Sequence, residues 1–316
     1  MNIERILLAT DCSPQAEAAE VYACTLAELW GASMTVVNVL EFAPGMNPEY
    51  PVNRLYLAEM MKQATRALAE LKARSVNRGI SVQTNIATGI PSQQILAVAE
   101  AEDVDLIVVG TLGKTGLKHV LLGSTAERVI RASPCPVLAV RAEWSETERG
   151  GDGARPAALH RILVPVDFSD CSLDALEYAA VVAQQAKASV TLLHVLEPVS
   201  YGLDFTLTIP GSRARKKDAV AERLAGVVSA LQALKVKAEY VIRGGLPNDS
   251  TLETARTISA DMIIMGTHGR RGLSHALYGS VAESVLRNSR CPVLTVRSPK
   301  FKPGHRRVLD AVSADE

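Results

Sequence analysis

The sequence carries no excess of charge of either sign. Lysine plus arginine and aspartate plus glutamate both number 34, for a formal net charge of zero. A dominant nucleic-acid surface leaves a basic footprint, so none is expected. No apolar run approaches the ~18 residues that a membrane span needs, and the stretch up to Asp11 has no signal-peptide pattern. Cysteine is scarce: the five residues Cys12, Cys24, Cys135, Cys171 and Cys291 are odd in number in a chain of 316 residues. They make no disulfide framework and lack the C-x-x-C spacing of a zinc site. A reduced, cytoplasmic protein is expected, with no membrane or nucleic-acid partner. Two common nucleotide motifs are also missing, namely G-x-x-x-x-G-K-[ST] and a G-x-G-x-x-G opening the first helix. No Ser-His-Asp set can be assembled, so no catalytic residue is assigned.

What the sequence does contain is an internal repeat. "RILLATDCS" from Arg5 returns as "RILVPVDFS" from Arg161, and "ASMTVVNVLE" from Ala32 returns as "ASVTLLHVLE" from Ala188. "CPVLAVR" from Cys135 returns as "CPVLTVR" from Cys291. Each match lies 156 residues on, as Arg161 does from Arg5. This period is domain-sized, far above the roughly 20–50 residues of a solenoid repeat. The expected organisation is a first domain over residues 1–141, a linker over 142–159, a second domain over 160–297 and a tail over 298–316. The linker's glycines, charges and single proline suit an exposed connection.

Each half alternates strand and helix. In the first half, strands are predicted at Arg5–Thr10, Met34–Leu40, Val82–Ala87, Leu106–Val109 and Val137–Arg141. Helices are predicted over Gln15–Trp30, Arg54–Val76, Pro91–Glu102 and Thr125–Ala132. The first helix carries an apolar stripe at Ala16, Ala19, Ala23, Leu26, Ala27 and Trp30, at helical spacing. A loop containing Pro44, Gly45, Pro48 and Pro51 precedes the second helix. The fold class is α/β: two tandem doubly wound domains, each a five-stranded parallel sheet of order 3-2-1-4-5 with helices on both faces. In that order the chain reverses direction between strands 1 and 4, and ligands bind at the carboxyl ends of the strands there.

Two loops emerge at that point in each half. One follows the fourth strand and holds Gly110, Gly113 and Gly123 before Ser124 and Thr125; its counterpart holds Gly266, Gly269 and Gly279 before Ser280 and Val281. A strand, a glycine loop and a helix start suit phosphate binding, because bare backbone N–H groups and the helix dipole both favour an anion. Each serine also opens S-x-x-E, with Glu127 or Glu283 three residues on, so each is expected to cap its helix in a capping box. Lys114, Arg270 and Arg271 lie within the glycine loops, as solvated charges or as cations beside a polyphosphate. His119, His268 and His275 make no recognisable metal site. The second loop of each pair holds Asp11 with Ser13, and Asp167 with Ser169. Those aspartates serve either as turn and cap residues or as carboxylates facing a ligand.

The spacing G-x2-G-x9-G-[ST], present twice, with the first-strand aspartates and the C-P-V-L-x-V last strands, resembles the universal stress protein family. The resemblance covers Asn2–Arg141 and His160–Arg297. It implies ATP binding, with a divalent cation such as Mg2+. Asp11 and Asp167 would face the adenosine portion, and Val39 and Val195 would offer backbone groups to adenine. The glycines with Ser124 and Ser280 would hold the phosphates. It further implies pairing of the last strands, Val137–Arg141 with Val293–Arg297, and leaves room for a homodimer of whole chains. The implied function is an ATP-binding stress-response switch. The alternatives are a slow ATPase or other nucleotide-dependent enzyme, and a module that binds an apolar ligand or a protein instead of a nucleotide. Leu112, Ala9-Thr10 and Pro14 stand where the second half has His268, Pro165-Val166 and Asp170, so the two sites are expected to differ.

Overall fold

A computed structural model of the chain describes residues 3–41, 50–111, 122–141, 159–197, 212–267 and 279–297. The chain divides into two compact units, Asn2–Ala158 and Leu159–Glu316. In the first, strands β1 (Arg5–Ala9), β2 (Ser33–Leu40), β3 (Val82–Thr88), β4 (Leu106–Gly110) and β5 (Val137–Val140) alternate with helices α1 (Glu17–Trp30), α2 (Pro51–Asn77), α3 (Pro91–Ala101) and α4 (Ser124–Ala132). All pairings are parallel, in the order β3-β2-β1-β4-β5. The second unit repeats the plan with β6 (Arg161–Pro165), α5 (Asp170–Ala186), β7 (Ser189–Leu196), α6 (Ser212–Ala233), β8 (Lys237–Gly244), α7 (Pro247–Thr257), β9 (Met262–Gly266), α8 (Ser280–Asn288) and β10 (Val293–Val296). Its order is β8-β7-β6-β9-β10.

The apolar runs explain the sheets. A parallel strand covered on both faces has no solvent side, so it reads as continuous Val, Ile and Leu. Ile6, Leu7 and Leu8 of β1 and Ile162, Leu163 and Val164 of β6 are fully buried. The run β1-α1-β2-α2-β3 steps outward in one direction, and β3-α3-β4-α4-β5 steps back in the other. Right-handed crossovers therefore put α1 and α2 on one face and α3 and α4 on the opposite face. Contacts between α1 and α2 agree: Arg78 reaches Glu28 and Arg74 reaches Glu20. On the other face α3 packs beside α4.

Two helix starts of the first unit depart from expectation by more than one residue. Pro51 is the first residue of α2 rather than part of the loop before it, because a helix's first N–H has no intrahelical partner and proline lacks that N–H. α1 begins at Glu17, after a short 3-10 turn over Pro14–Ala16. In the second unit Asp170 replaces Pro14 and α5 starts at once, capped by Ser169, whose hydroxyl accepts from the Ser172 N–H. The described residues contain no helix long and apolar enough to cross a membrane.

Candidate functional site

The strand order reverses between β1 and β4, so the turn after β1 and the start of α4 lie at the same end of the sheet. The turn is built alike in both units. Asp11 Oδ1 accepts from the Ser13 N–H at 3.0 Å, and Asp167 Oδ1 accepts from the Ser169 N–H at 2.9 Å. The residue between, Cys12 or Phe168, is left-handed, with φ of 58° or 62°. Non-glycine residues seldom adopt this region, and its recurrence at one place in both units marks a constrained turn. The turn role of the aspartates is therefore real. It occupies one carboxylate oxygen and fixes how the group is held at the strand ends.

The neighbouring strand continues beyond the turn. In a parallel sheet the N–H and C=O of one residue face the same neighbour, and alternate residues face opposite sides. Thr10 N–H donates to Val37 O, while Gly89 N–H donates to Leu40 O on the other side. Val39 therefore directs its backbone groups toward β1, past the last residue of that strand, over the Asp11 turn. The same parity holds for Val195, between Leu193, which accepts from Val166 N–H, and Leu196, which accepts from Gly245 N–H.

The helix starts overturn the capping-box expectation. Gly123 and Gly279 are the N-caps, both in extended conformation and without a side-chain cap bond, and Ser124 and Ser280 are the first helical residues. The first intrahelical bonds run from Glu127 N–H to Gly123 O and from Glu283 N–H to Gly279 O. The acid meant to reach back instead pairs forward along the helix, Glu127 with Arg131 at 3.2 Å and Glu283 with Arg287 at 3.0 Å. An i,i+4 pair needs no unusual backbone, whereas a glycine cap offers no side chain to reciprocate. Both serines are exposed. The amides of Ser124, Thr125 and Ala126 precede the first intrahelical bond, as do those of Ser280, Val281 and Ala282, and carry the positive end of the helix dipole.

A further contact ties each helix start to its strand. Gly123 N–H donates to Thr111 O at 2.6 Å, and Gly279 N–H donates to Thr267 O at 2.8 Å. A Cβ on Gly123 would stand 3.1 Å from that oxygen. Gly110 and Gly266 end β4 and β9; a Cβ on Gly266 would stand 2.7 Å from the Cys171 carbonyl carbon, so this glycine lets α5 approach the strand. Gly113, Gly269, Leu112, Lys114, His119, His268, Arg270, Arg271 and His275 lie outside the described residues.

Two residues were missed in the sequence. Asn38 on β2 is 3 % exposed and donates from Nδ2 to Thr10 O at 2.9 Å. Its counterpart His194 on β7 is 6 % exposed, with Nδ1 2.7 Å from Val166 O. A carbonyl only accepts, so Nδ1 carries the proton. Both side chains lock the turn from the second strand. The signal was a single polar residue inside an otherwise apolar strand, in "VVNVL" and "LLHVL".

The first crevice also contains unsatisfied polar atoms. Ser13 Oγ, Asn38 Oδ1 and Thr111 Oγ1 are buried without a hydrogen-bond partner among the described residues, and they come from the carboxyl ends of β1, β2 and β4. Buried polar atoms are nearly always paired, so a group of them at one sheet end fits a polar ligand. Among the described residues, no three His, Cys, Asp or Glu side chains form a metal cluster.

Two units of five parallel strands, each with an aspartate turn and a glycine-capped helix start at its direction reversal, define a duplicated doubly wound α/β protein. The model of the universal stress protein family matches residues 2–141 and again 158–297, and the chain belongs to that family. It is 34% identical over 139 residues to a universal stress protein of Methanocaldococcus jannaschii, covering 44% of this chain and 82% of that protein. It is 25% identical over 308 residues to one of Mycobacterium tuberculosis, covering 92% of this chain and 96% of the relative. The crystal structure of a universal stress protein from Archaeoglobus fulgidus superposes with a TM-score of 0.70 at 24% identity, covering 94% of this chain and 99% of that one, a likeness of fold.

Proposed function

We propose that each unit binds ATP, accompanied by Mg2+, at the carboxyl end of its sheet, and that the protein is a cytoplasmic, nucleotide-dependent stress-response switch. The observation that carries this reading is the helix start. Twice, at the direction reversal, a glycine N-cap leaves an exposed serine at the first helical position, just inside the cap. The amides of the first turn, with the hydroxyls of Ser124 and Ser280, suit the phosphates. Thr125 and Val281 contribute their amides. Gly113 and Gly269 suit close backbone approach to a polyphosphate, while Gly110, Gly123, Gly266 and Gly279 shape the strand end and helix start beside it. Asp11 and Asp167 suit the ribose hydroxyls, and the backbone groups of Val39 and Val195 suit the edge of adenine. ATP supplies a charged polyphosphate whose binding distinguishes two states of the protein; it shifts their balance only by its difference in affinity for them.

Calorimetric titration of ATP–Mg2+ into purified protein, after any co-purified nucleotide has been extracted and identified, tests the reading. Two molecules bound per chain are expected, falling to one in Asp11→Ala and in Asp167→Ala. No binding, with no co-purified nucleotide, would end the ATP reading.

A further inference from the structure

The two crevices share a turn but differ in what supports it. In the first unit a chain of polar contacts runs from α2 to the turn. Arg74 Nη2 lies 3.4 Å from Glu20 Oε2, and Thr10 Oγ1 donates to Glu20 Oε1 at 3.1 Å. Thr10 Oγ1 in turn accepts from the Cys12 N–H at 3.0 Å. Cys12 is the left-handed residue beside Asp11. The second unit has none of this: Val166, Leu176 and Ala230 stand where Thr10, Glu20 and Arg74 do. There the turn is backed by an aromatic stack, with the Arg223 guanidinium 4.1 Å over the Phe168 ring and the His194 ring 5.3 Å from it.

We propose that Glu20 is a positioning residue for the first crevice alone, so that nucleotide affinity there, and not in the second crevice, falls as the pH is lowered. The inference rests on the ATP reading above. A threonine hydroxyl has one proton to give and lone pairs to receive. An ionised carboxylate can only accept, so it draws the Thr10 proton and leaves the Thr10 oxygen turned to the Cys12 N–H. A protonated Glu20 is itself a donor. It competes with Cys12 for the Thr10 oxygen, and the turn holding Asp11 is weakened by that one bond while those from Asn38 and Ser13 remain. The Glu20 side chain is 14% exposed. Burial pushes its carboxyl above the usual 4.5, with Glu17 on its own helix and Asp11 on the turn adding to the rise. The Thr10 hydrogen bond and Arg74, reaching across from α2, oppose it. Protonation therefore begins at a higher pH than for an ordinary glutamate.

The terminal phosphate of ATP also gains a proton on acidification, but it does so at both crevices. The ratio of the two affinities isolates the protein's own contribution. The test uses two full-length proteins, Asp167→Ala with only the first crevice intact and Asp11→Ala with only the second. Each is titrated calorimetrically with ATP–Mg2+ at about pH 8 and about pH 4.5, the lower pH lying at the usual carboxyl value and so below a raised one. The ratio of first-crevice to second-crevice affinity is expected to drop about fivefold on acidification, the worth of one net hydrogen bond. Glu20→Gln, and separately Thr10→Val, should make the ratio independent of pH, with thermal unfolding confirming that both variants are folded. A ratio that is flat in the parent protein, or that still falls in Glu20→Gln, overturns the inference while leaving the ATP reading intact. Absence of binding at both crevices at about pH 8 overturns that reading and the inference with it.

Discussion

Glycines that look alike in the repeat do different work. Gly266 is held against the first turn of α5, where a Cβ would stand 2.7 Å from the Cys171 carbonyl carbon and 2.8 Å from its oxygen. Backbone cannot swing aside as a side chain can, so Gly266→Ala is expected to cost about 1–3 kcal/mol, as overpacking does. Gly123 has ordinary extended dihedrals and meets only one oxygen, at 3.1 Å. Gly123→Ala is expected to cost less than Gly266→Ala. Urea unfolding of the two variants, read as midpoints at constant slope, checks the order. Residues of this kind were legible because the repeat shows them twice: Asp11 with Asp167, and Ser124 with Ser280. Asn38 and His194 were not, because a polar residue in a buried strand acquires meaning only once β1 is seen to end beside it. The Arg74–Glu20–Thr10 chain was hidden further still. Its members come from α2, α1 and the end of β1, and only packing brings them together.

Among the elements, α1 and α2 are joined at their ends by an ion pair. Arg78, just past α2, donates from Nη2 to Glu28 Oε2 at 2.8 Å, with both side chains about one-third exposed. The Arg78 hydrogen bond holds the Glu28 carboxyl below its usual range. A depressed carboxyl contributes stability that is fully present above the unfolded value of about 4.3 and is lost as the pH falls through the lower folded value. Water screens so exposed a pair, so Arg78→Ala is expected to destabilise by no more than about 1 kcal/mol at neutral pH. That difference should vanish in acid, as unfolding curves at the two pH values would show; an equal loss at both would mean that the arginine acts through packing. The elements themselves were readable from apolar periodicity, since buried strands and amphipathic helices print their pattern directly. Their ends were less so. Pro51 belongs to α2 although proline clusters read as loop, and the S-x-x-E signature missed that the glycine ahead of each serine is the cap.

For the whole molecule, the ATP reading gives one ligand two places to act. A site that binds only the folded state adds about 2.7 kcal/mol of stability at a ligand concentration a hundred times its Kd. With both crevices active, the rise in Tm under saturating ATP–Mg2+ is expected to exceed that of Asp11→Ala or of Asp167→Ala, measured by scanning calorimetry. If one variant matches the parent, a single crevice carries the binding. Family membership and the two-unit plan follow from matches spanning residues 2–141 and 158–297. The difference between the crevices follows from substitutions that the repeat itself tolerates: Val166 for Thr10, Leu176 for Glu20 and Ala230 for Arg74.

The bond from Gly123 N–H to Thr111 O, with its twin from Gly279 to Thr267, works as a clasp. It joins the residue after the strand directly to the residue before the helix, and so spares the intervening sequence the task of locating the serine. With such a clasp, the helix start is held to its strand by a backbone bond that asks nothing of the side chains between the two joined ends. The duplication therefore carries the same fastening twice, once in each unit.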